Sequence, residues 1–529
     1  MCKSVIIGLD GATFDMLDPF IEEGILPHLK NIIKEGSRCI LKSTIPFYTG
    51  PAWVSMVTGV NPGKHGIFNF TKYSTDSDSR RVLNSRDIRC LRIWELLNRR
   101  GLKTGMVNIP MTYPADAVDG FMIAGMMSPE KNEKVSYPSQ LMDKIDDVVN
   151  DYVIDVPVIL EKHKDDPVII ERLHDCLLKR GKAAEFLMKN YEVDFLMYVF
   201  ITPDRLQHLF WKYLDRRISF MSSEDTLCRD RILDCYRLLD EIVGGIVQAS
   251  SEETNLFIVS DHGFGEYKKC FHLNNWLMEL GLLRLRKGAS LLTSFVEVAN
   301  ISGIKKLLPR RFIKRAKEAF SNIIDHEATR AYAADSLEQG IYLNLDNGSA
   351  DTYHDVCNCI INELYKLRDP ETGEKIVTEV KTRGELFSGP FVAEAPDVLI
   401  NMADMGYQIS NSIIHSGCIV SRENEPFGIH KRDGIFIAHG TGIKKDNLVD
   451  QGDIVDIVPT VLHSMGLPIP AYLDGKVLDT IFTESFNNDH AVKYEEMSEY
   501  YIAKSKGDTY TDEEALLIQE KLRGLGYIE

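Results

Sequence analysis

The sequence predicts an α/β fold built around a mostly parallel β-sheet. Apolar runs of strand length alternate with longer segments of helical period, the order that places helices on both faces of a parallel sheet. The clearest runs cover residues 5–9, 193–201 and 255–260. Continuous apolar character at this length is typical of strands buried on both faces. For a chain of 529 residues we therefore expect one large α/β domain with insertions.

Segments of helical period follow these strands and predict the helices of the α/β fold. Asp166 and Pro167 supply an N-cap and a first-turn proline for the longest of them. Strand character returns at residues 396–400 and 434–438, and Thr511 opens a capping box before an apolar helix. The helices are predicted over residues 14–35, 87–99, 167–189 and 230–249.

Composition excludes several classes of protein. A net charge of −17 disfavours binding to a nucleic-acid polymer, whose phosphates repel an acidic surface. No apolar run reaches the length of a membrane span, and the N-terminus lacks the pattern of a signal peptide. The ten cysteines are scattered without a Cys-x-x-Cys pair, which favours reduced thiols. We therefore expect a cytoplasmic protein; its oligomeric state is left open.

The domain boundaries are predicted where the alternation of strands and helices is lost. We expect a catalytic core over residues 1–274 and 390–485, an inserted cap over 275–389, and a helical C-terminal tail over 486–529. Residues 284–317 carry ten Lys or Arg and one acidic residue. Such a segment is a solvated helical face, a lid for an anionic substrate or a contact with a membrane surface.

Carboxylate and imidazole side chains follow the ends of the predicted strands. In open α/β sheets, ligands bind beyond the carboxyl ends of the strands, so these side chains should meet at one edge. Three Asp and three His are good ligands for divalent metal ions and exceed the needs of one tetrahedral zinc. Two ions sharing one substrate can stabilise both the attacking and the leaving oxygen of an in-line displacement. The candidate ligands are Asp10, Asp204, His208, Asp261, His262 and His430.

Thr49 is the candidate nucleophile. It stands two residues before Pro51, which suits the first turn of a helix. The N-terminus of a helix favours phosphate, because its backbone N–H groups and dipole attract negative charge. A metal ion on the Thr49 hydroxyl would lower its pKa and make it a nucleophile.

These motifs, in this order, resemble the alkaline phosphatase superfamily, and most closely its type I phosphodiesterase/nucleotide pyrophosphatase branch. The resemblance covers roughly residues 3–270 and 390–480 and rests on segments Gly8–Gly11, Thr49–Gly66, Pro203–His208, Asp261–Gly263 and Gly428–His430. It implies a three-layer αβα sandwich and a phosphodiesterase or nucleotide pyrophosphatase that forms a phospho-threonine at Thr49.

The resemblance also implies a role for each ligand. Asp10, Thr49, Asp261 and His262 would hold one divalent ion, and Asp204, His208 and His430 the other. Zinc is usual in the family, although an Asp/His set also accepts manganese or iron. The substrate would be a small phosphate ester or a nucleotide. Asn69 and Lys64 are candidate substrate contacts, but Asn69 falls one residue earlier than the family's phosphoryl-binding Asn.

Differences between this sequence and the motifs of related families exclude some members of the superfamily. Sulfatases need a Cys or Ser where Thr49 stands and an Arg where Trp53 stands. Two alternatives remain. One is a phosphomonoesterase or phosphotransferase of the same superfamily, for which Arg205 is a candidate extra cation. The other is a noncatalytic protein that binds an acidic partner through the metal cleft. His65 either supports the site or is structural.

Overall fold

The computed structural model describes residues 2–73, 80–163, 166–215, 222–286, 323–345, 350–402, 406–413, 418–497, 500–502 and 510–528. The chain divides into two compact units. The first comprises Met1–Gly265, Ser388–Val392 and Phe427–Glu529, and the second comprises Glu266–Phe387 and Ala393–Pro426. Every predicted site residue belongs to the first unit. The domain boundaries expected from the sequence stay predictions.

The strands carry the apolar runs of the sequence. In chain order they are β1 (Ser4–Leu9), β2 (Ser37–Lys42), β3 (Thr71–Tyr73), β4 (Arg80–Val82), β5 (Thr104–Ile109), β6 (Gly120–Ala124), β7 (Ser136–Tyr137), β8 (Phe195–Phe200), β9 (Asn255–Val259), β10 (Gly263–His272), β11 (Ala331–Tyr332), β12 (Gly340–Leu343), β13 (Val377–Thr382), β14 (Val398–Met402), β15 (Tyr407–Ser410), β16 (Val420–Lys431), β17 (Asp433–His439), β18 (Asn447–Asp453), β19 (Ile469–Pro470) and β20 (Tyr494–Glu495).

The α-helices of the described residues alternate with these strands. In chain order they are α1 (Phe14–Glu22), α2 (Pro27–Lys34), α3 (Thr49–Thr58), α4 (Pro62–His65), α5 (Ile93–Asn98), α6 (Leu141–Val149), α7 (Leu160–His163), α8 (Pro167–Asn190), α9 (Thr202–Leu214), α10 (Ser223–Ala249), α11 (Leu273–Glu279), α12 (Ala350–Lys366), α13 (Arg383–Leu386), α14 (Ile457–Ser464), α15 (Glu484–Asp489) and α16 (Asp512–Gly524).

A nine-stranded sheet with the order β18-β2-β17-β9-β1-β8-β5-β6-β7 forms the centre of the first unit. Neighbouring strands are parallel except where β17 meets β2 and β9 and where β7 meets β6. The predicted mostly parallel sheet is confirmed. The second unit contains a four-stranded sheet, β11-β12-β14-β13.

The register of the central strands aligns their carboxyl ends. Gly8 of β1 lies opposite Val199 of β8 on one side and Val259 of β9 on the other. The residues that follow these three strands therefore reach the same edge of the sheet. Gly8 also lies against the ring of Trp53, because a Cβ at position 8 would overlap the indole. The absence of a side chain lets α3 approach β1 closely.

The two faces of the sheet are covered by different helices. On one face, Met197 and Val199 of β8 belong to a buried cluster with Trp53 of α3 and Val458 of α14. On the other face, the Tyr198 hydroxyl donates to a carbonyl of α8, since successive side chains of a strand point to opposite faces. The predicted three-layer αβα arrangement is confirmed.

Some predicted elements differ from the observed ones. The helix expected over residues 14–35 is two helices, α1 and α2, because Gly24 takes a left-handed φ of 77° and Pro27 opens a new first turn. The helical end of the chain is confirmed, and Thr511 and Glu514 form the predicted capping box of α16. The basic segment 284–317 lies outside the described residues apart from 284–286.

Candidate active site

The carboxyl-terminal edge of the central sheet brings the predicted ligands together. Asp10 directly follows β1, and Asp261 is the second residue after the end of β9. β8 leads directly into α9, on which Asp204 and His208 are four residues apart and share one helical face. His430 lies at the end of β16, just ahead of β17. All of these residues belong to the first unit of the chain.

Asp10, Asp261 and His262 form a first donor cluster, with ligand atoms within 4.8 Å of one another. Trp53 Nε1–H donates to Asp10 Oδ2 at 2.8 Å, and the Gly11 N–H donates to Asp261 Oδ1 at 3.3 Å. The other two oxygens, Asp10 Oδ1 and Asp261 Oδ2, have no hydrogen-bond partner among the residues that the structure describes. They lie 3.6 and 3.3 Å from His262 Nε2. Each carboxylate is thus fixed by one oxygen and offers the other.

Asp204, His262 and His430 form a second donor cluster within the same 4.8 Å limit. His430 Nε2 lies 3.2 Å from Asp204 Oδ1. His208 Nε2 lies 2.9 Å from His430 Nε2 and 3.4 Å from Asp204 Oδ1, so it belongs to the same group of atoms. His262 is common to both clusters. The resemblance implied that His262 serves the first cluster alone.

The tautomer of His262 suits a metal ligand. Its Nδ1 lies 3.0 Å from the Gly263 carbonyl oxygen, which only accepts hydrogen bonds. Nδ1 therefore carries the proton, and Nε2 presents its lone pair to the clusters. A hydrogen bond from the second ring nitrogen to a carbonyl is the usual way in which a metal-binding histidine is oriented.

The charges of the site are out of balance without a cation. Burial raises the pKa values of Asp10 and Asp261 well above their ordinary range, and the neighbouring carboxylates raise them further. Burial also opposes ionisation of Asp204, but His208, His430 and Arg205 hold its pKa well below the usual value. The three buried carboxylates are thus accompanied by one buried guanidinium, that of Arg205, which bonds Asp204 alone among them. This donor set fits bound divalent cations, whose charge would make it tolerable.

Thr49 lies beside both clusters. It is the first residue of α3 and is fully buried. Its Oγ1 is 3.3 Å from His262 Nε2, the donor that the two clusters share. The sequence placed Thr49 just before the helix, and Tyr48 takes that N-cap position instead. The hydroxyl therefore meets the predicted ligands at the N-terminus of a ten-residue helix, where negative charge is favoured.

Arg205 does not point its charge into the site as a free cation. Nη1 donates to Asp204 Oδ2 at 2.6 Å, and Nη2 donates to Asp155 Oδ2 at 2.9 Å. Its side chain is 1% exposed. The guanidinium fixes the Asp204 oxygen that faces away from His430. Sequence reasoning did not identify Asp155, which is fifty residues from its partner.

The two candidate substrate contacts, Lys64 and Asn69, form hydrogen bonds within the protein. Lys64 Nζ bonds the Asp474 carboxylate and the Tyr472 carbonyl. The Asn69 side-chain oxygen accepts the N–H of Phe70 at 2.7 Å. Both roles stay predictions.

His65 has a structural environment. Its Nδ1 accepts the Ile67 N–H at 3.1 Å, so its Nε2 donates to Ser55 Oγ at 2.9 Å. Burial lowers its pKa to about 3, which keeps the ring neutral. His65 joins α4 to α3 and thereby supports the helix that carries Thr49.

One side chain at the site was missed by sequence reasoning. Tyr527, two residues from the end of the chain, places its hydroxyl 3.4 Å from Thr49 Oγ1. Nothing in its local sequence indicates this contact, because the two residues are 478 positions apart.

The α/β fold thus places clustered carboxylates, histidines and a buried hydroxyl at the carboxyl edge of the sheet, as the resemblance to the alkaline phosphatase superfamily implies. The model of the type I phosphodiesterase/nucleotide pyrophosphatase family matches residues 4–433. The chain belongs to this family, and the predicted enzyme class, a hydrolase of phosphoric esters, is confirmed.

The similar solved structures are distant in sequence. Phosphonoacetate hydrolase from Sinorhizobium meliloti 1021, solved with phosphonoformate, is 15% identical with a TM-score of 0.52 and covers 86% of this chain and 94% of its own. Murine ectonucleotide pyrophosphatase/phosphodiesterase 5 is 16% identical with a TM-score of 0.48 and covers 91% of this chain and 100% of its own. No curated protein sequence is significantly similar to the chain.

The helices that the structure describes lack membrane-spanning character. None of these is both long and apolar enough to cross a bilayer.

Proposed function

We propose that this protein is a phosphodiesterase or nucleotide pyrophosphatase that uses two divalent ions and a phospho-threonine at Thr49. The observation that carries the proposal is the distance of 3.3 Å between Thr49 Oγ1 and His262 Nε2. His262 is the donor that both clusters share. A hydroxyl beside the shared ligand of two clusters would be within reach of an ion bound at either of them.

The first cluster of donors comprises Asp10, Asp261 and His262, and the second comprises Asp204, His262 and His430, with His208 beside them. Bound there, the ions would supply Lewis acidity and neutralise charge on the phosphoryl oxygens. Zinc is our first choice for both positions, since His nitrogen and Asp oxygen are usual zinc ligands.

Thr49 would act as the nucleophile in two balanced steps. A bond forms between Oγ1 and phosphorus while the bond to the leaving oxygen breaks, and the leaving group departs as an alcohol or a phosphate. Water then breaks the bond between Oγ1 and phosphorus, which restores Thr49 and releases a phosphate monoester. The N-terminus of α3 lies where the negative phosphoryl group would be held.

The surroundings of Arg205 support a diester rather than a monoester substrate. A monoester carries an additional negative charge, for which a further cation is expected. Arg205 contacts Asp204 directly, and its guanidinium is already shared between Asp204 and Asp155. The phosphomonoesterase alternative therefore loses its candidate residue.

A cytoplasmic location is the remaining part of the proposal. All ten cysteines are free thiols in the structure. Disulfides are rare in the reducing cytosol and common outside it, so this state supports the location.

The test is hydrolysis of two esters with one leaving group, bis(p-nitrophenyl) phosphate and p-nitrophenyl phosphate. We expect the diester to be preferred, activity to be lost with a chelator, and Zn²⁺ or Mn²⁺ to restore it. Thr49→Ala should abolish turnover, whereas Thr441→Ala, whose hydroxyl bonds the Glu252 carbonyl at the surface, should behave as wild type. Turnover of Thr49→Ala at the wild-type rate would rule out Thr49 as the nucleophile.

A further inference from the structure

The end of the chain is turned back by a defined helix C-cap. Gly526 follows α16 with a left-handed φ of 73°. Its N–H donates to the Arg523 carbonyl at 3.1 Å, and the Tyr527 N–H donates to the Leu522 carbonyl at 2.8 Å. This pair of bonds is the Schellman motif, which reverses the chain at the end of a helix. The reversal sends Tyr527 toward the first unit's active site.

Tyr527 enters the active site as a buried side chain. It is 2% exposed. Its ring centroid lies 4.9 Å from that of Phe70 and 6.0 Å from that of His430, and its hydroxyl lies 3.4 Å from Thr49 Oγ1. The phenol therefore lies between the ring of Phe70 and the candidate metal ligand His430, and its hydroxyl contacts the candidate nucleophile directly.

The segment that carries Tyr527 is held in place by several independent contacts. The Tyr510 hydroxyl donates to the Met127 carbonyl at 2.8 Å, ahead of α16. Gln519 and Lys521 of α16 donate to the carbonyls of Arg80 and Ser128 at 3.3 and 3.1 Å. Ile518 and Leu522 of the same helix, and Leu525 at its end, are buried. Because these contacts are several and independent, the loss of any one hydrogen bond leaves the others to hold the helix that carries Tyr527.

We propose that Tyr527 is a catalytic residue, whose hydroxyl donates a hydrogen bond to a non-bridging oxygen of the phosphoryl group while Thr49 attacks. The inference rests on the proposed function. Charge in such transition states is spread over the equatorial oxygens, which lie close to the attacking oxygen. A donor 3.4 Å from Thr49 Oγ1 is therefore within reach of one of them. A neutral phenol offers this bond without adding charge to the site.

The position of Tyr527 also has a simpler interpretation, in which the ring only blocks the site. Thr49 is fully buried, so a substrate must displace something to reach it. The two interpretations differ in the effect of removing the side chain. Loss of a donor slows turnover, whereas loss of a plug accelerates it.

The experiment compares kcat, KM and inhibition by orthovanadate in the metal-loaded wild type and in Tyr527→Phe, Tyr527→Ala and Tyr510→Phe. Removal of one transition-state donor typically lowers kcat by about 10²-fold. We expect a loss of this size in Tyr527→Phe with little change in KM, weaker binding of vanadate, and unchanged metal content. Tyr527→Ala should lose at least as much. Tyr510→Phe removes a hydroxyl from the same segment and should change kcat by less than about 3-fold.

Three results would overturn the assignment. They are an unchanged kcat and vanadate affinity in Tyr527→Phe, a rise of kcat/KM in Tyr527→Ala, and an equal loss in Tyr510→Phe. If the wild type is active and Thr49→Ala is not, such results refute the role of Tyr527 alone. If the metal-loaded wild type hydrolyses no phosphate ester, the proposed function fails and the role of Tyr527 falls with it.

Discussion

Arg205 Nη1 donates to Asp204 Oδ2 at 2.6 Å, while Asp204 Oδ1 faces His430 Nε2 at 3.2 Å. The two oxygens of one carboxylate thus have separate partners. One is held by a buried guanidinium, itself fixed by Asp155, and the other is left for the second donor cluster. The orientation of a central candidate ligand depends on a residue that does not reach the reacting groups.

Replacement of Arg205 should therefore weaken metal binding at the second cluster. Lysine keeps the charge but cannot bond Asp204 and Asp155 in the same planar geometry. For Arg205→Lys we expect about 10–100-fold lower metal affinity, the usual effect of losing a partner of a ligand. Titration of the metal-free protein with Zn²⁺ measures it. Arg231→Lys, in an exposed pair with Glu171, is the control, and equal affinities in all three proteins would refute this role.

Asp10 should destabilise the metal-free protein. Burial and the Asp261 and Asp204 carboxylates raise its pKa. An acid with a raised pKa stabilises the fold below its ordinary pKa and loses this contribution as the pH rises through the raised value. Asp10→Asn should therefore raise the Tm of the metal-free protein by a few degrees, and more at pH 8 than at pH 5.

Thermal unfolding with and without chelator checks this expectation. The exposed Asp450→Asn serves as the control and should leave the Tm unchanged. In the presence of metal, Asp10→Asn should lose both metal-induced stabilisation and activity. A lower Tm of the metal-free Asp10→Asn protein at both pH values would contradict the charge imbalance described for the site.

His65 should make the protein sensitive to acid. Burial lowers its pKa from 6.5 to about 3, so the folded state keeps the ring neutral while the unfolded chain takes up a proton. The stability that results is present above pH 6.5 and is lost as the pH falls below it. Between pH 7 and 4.5 the cost is roughly 2–3 kcal/mol.

Urea unfolding at the two pH values measures this effect. His65→Gln should be less stable than wild type at pH 7, because it loses the bonds to Ser55 and Ile67. Its stability should nevertheless fall less between pH 7 and 4.5. An identical fall in both proteins would show that His65 is not the group that is protonated on unfolding.

Much of the fold and most of the candidate ligands could be predicted because each ligand stands close to the end of a recognisable strand. Asp10 and Asp261 need only the parallel register of β1 and β9 to meet at one edge. The break between α1 and α2 was also present in the sequence as Gly24 and Pro27, but helical periodicity on both sides of it concealed the turn.

Contacts between distant segments could not be predicted in the same way. Asp155 and Tyr527 come from segments with no motif, and their roles depend on how a loop and the C-terminal helix pack within the first unit. The Leu525-Gly526 pair does indicate the end of a helix. No local pattern says which site the next residue enters. The number and identity of the metal ions likewise depend on geometry that residue types do not specify.

The covalent state of Thr49 during turnover tests the central claim most directly. Metal-loaded enzyme is mixed with bis(p-nitrophenyl) phosphate, quenched in acid within the first turnovers, and digested for mass spectrometry. We expect the peptide containing Thr49 to carry a p-nitrophenyl-phosphoryl adduct on that residue, at a level that falls when substrate is exhausted, and the adduct to be absent from Thr49→Ala. Full turnover with no adduct on Thr49, or an adduct on another residue, would contradict the account.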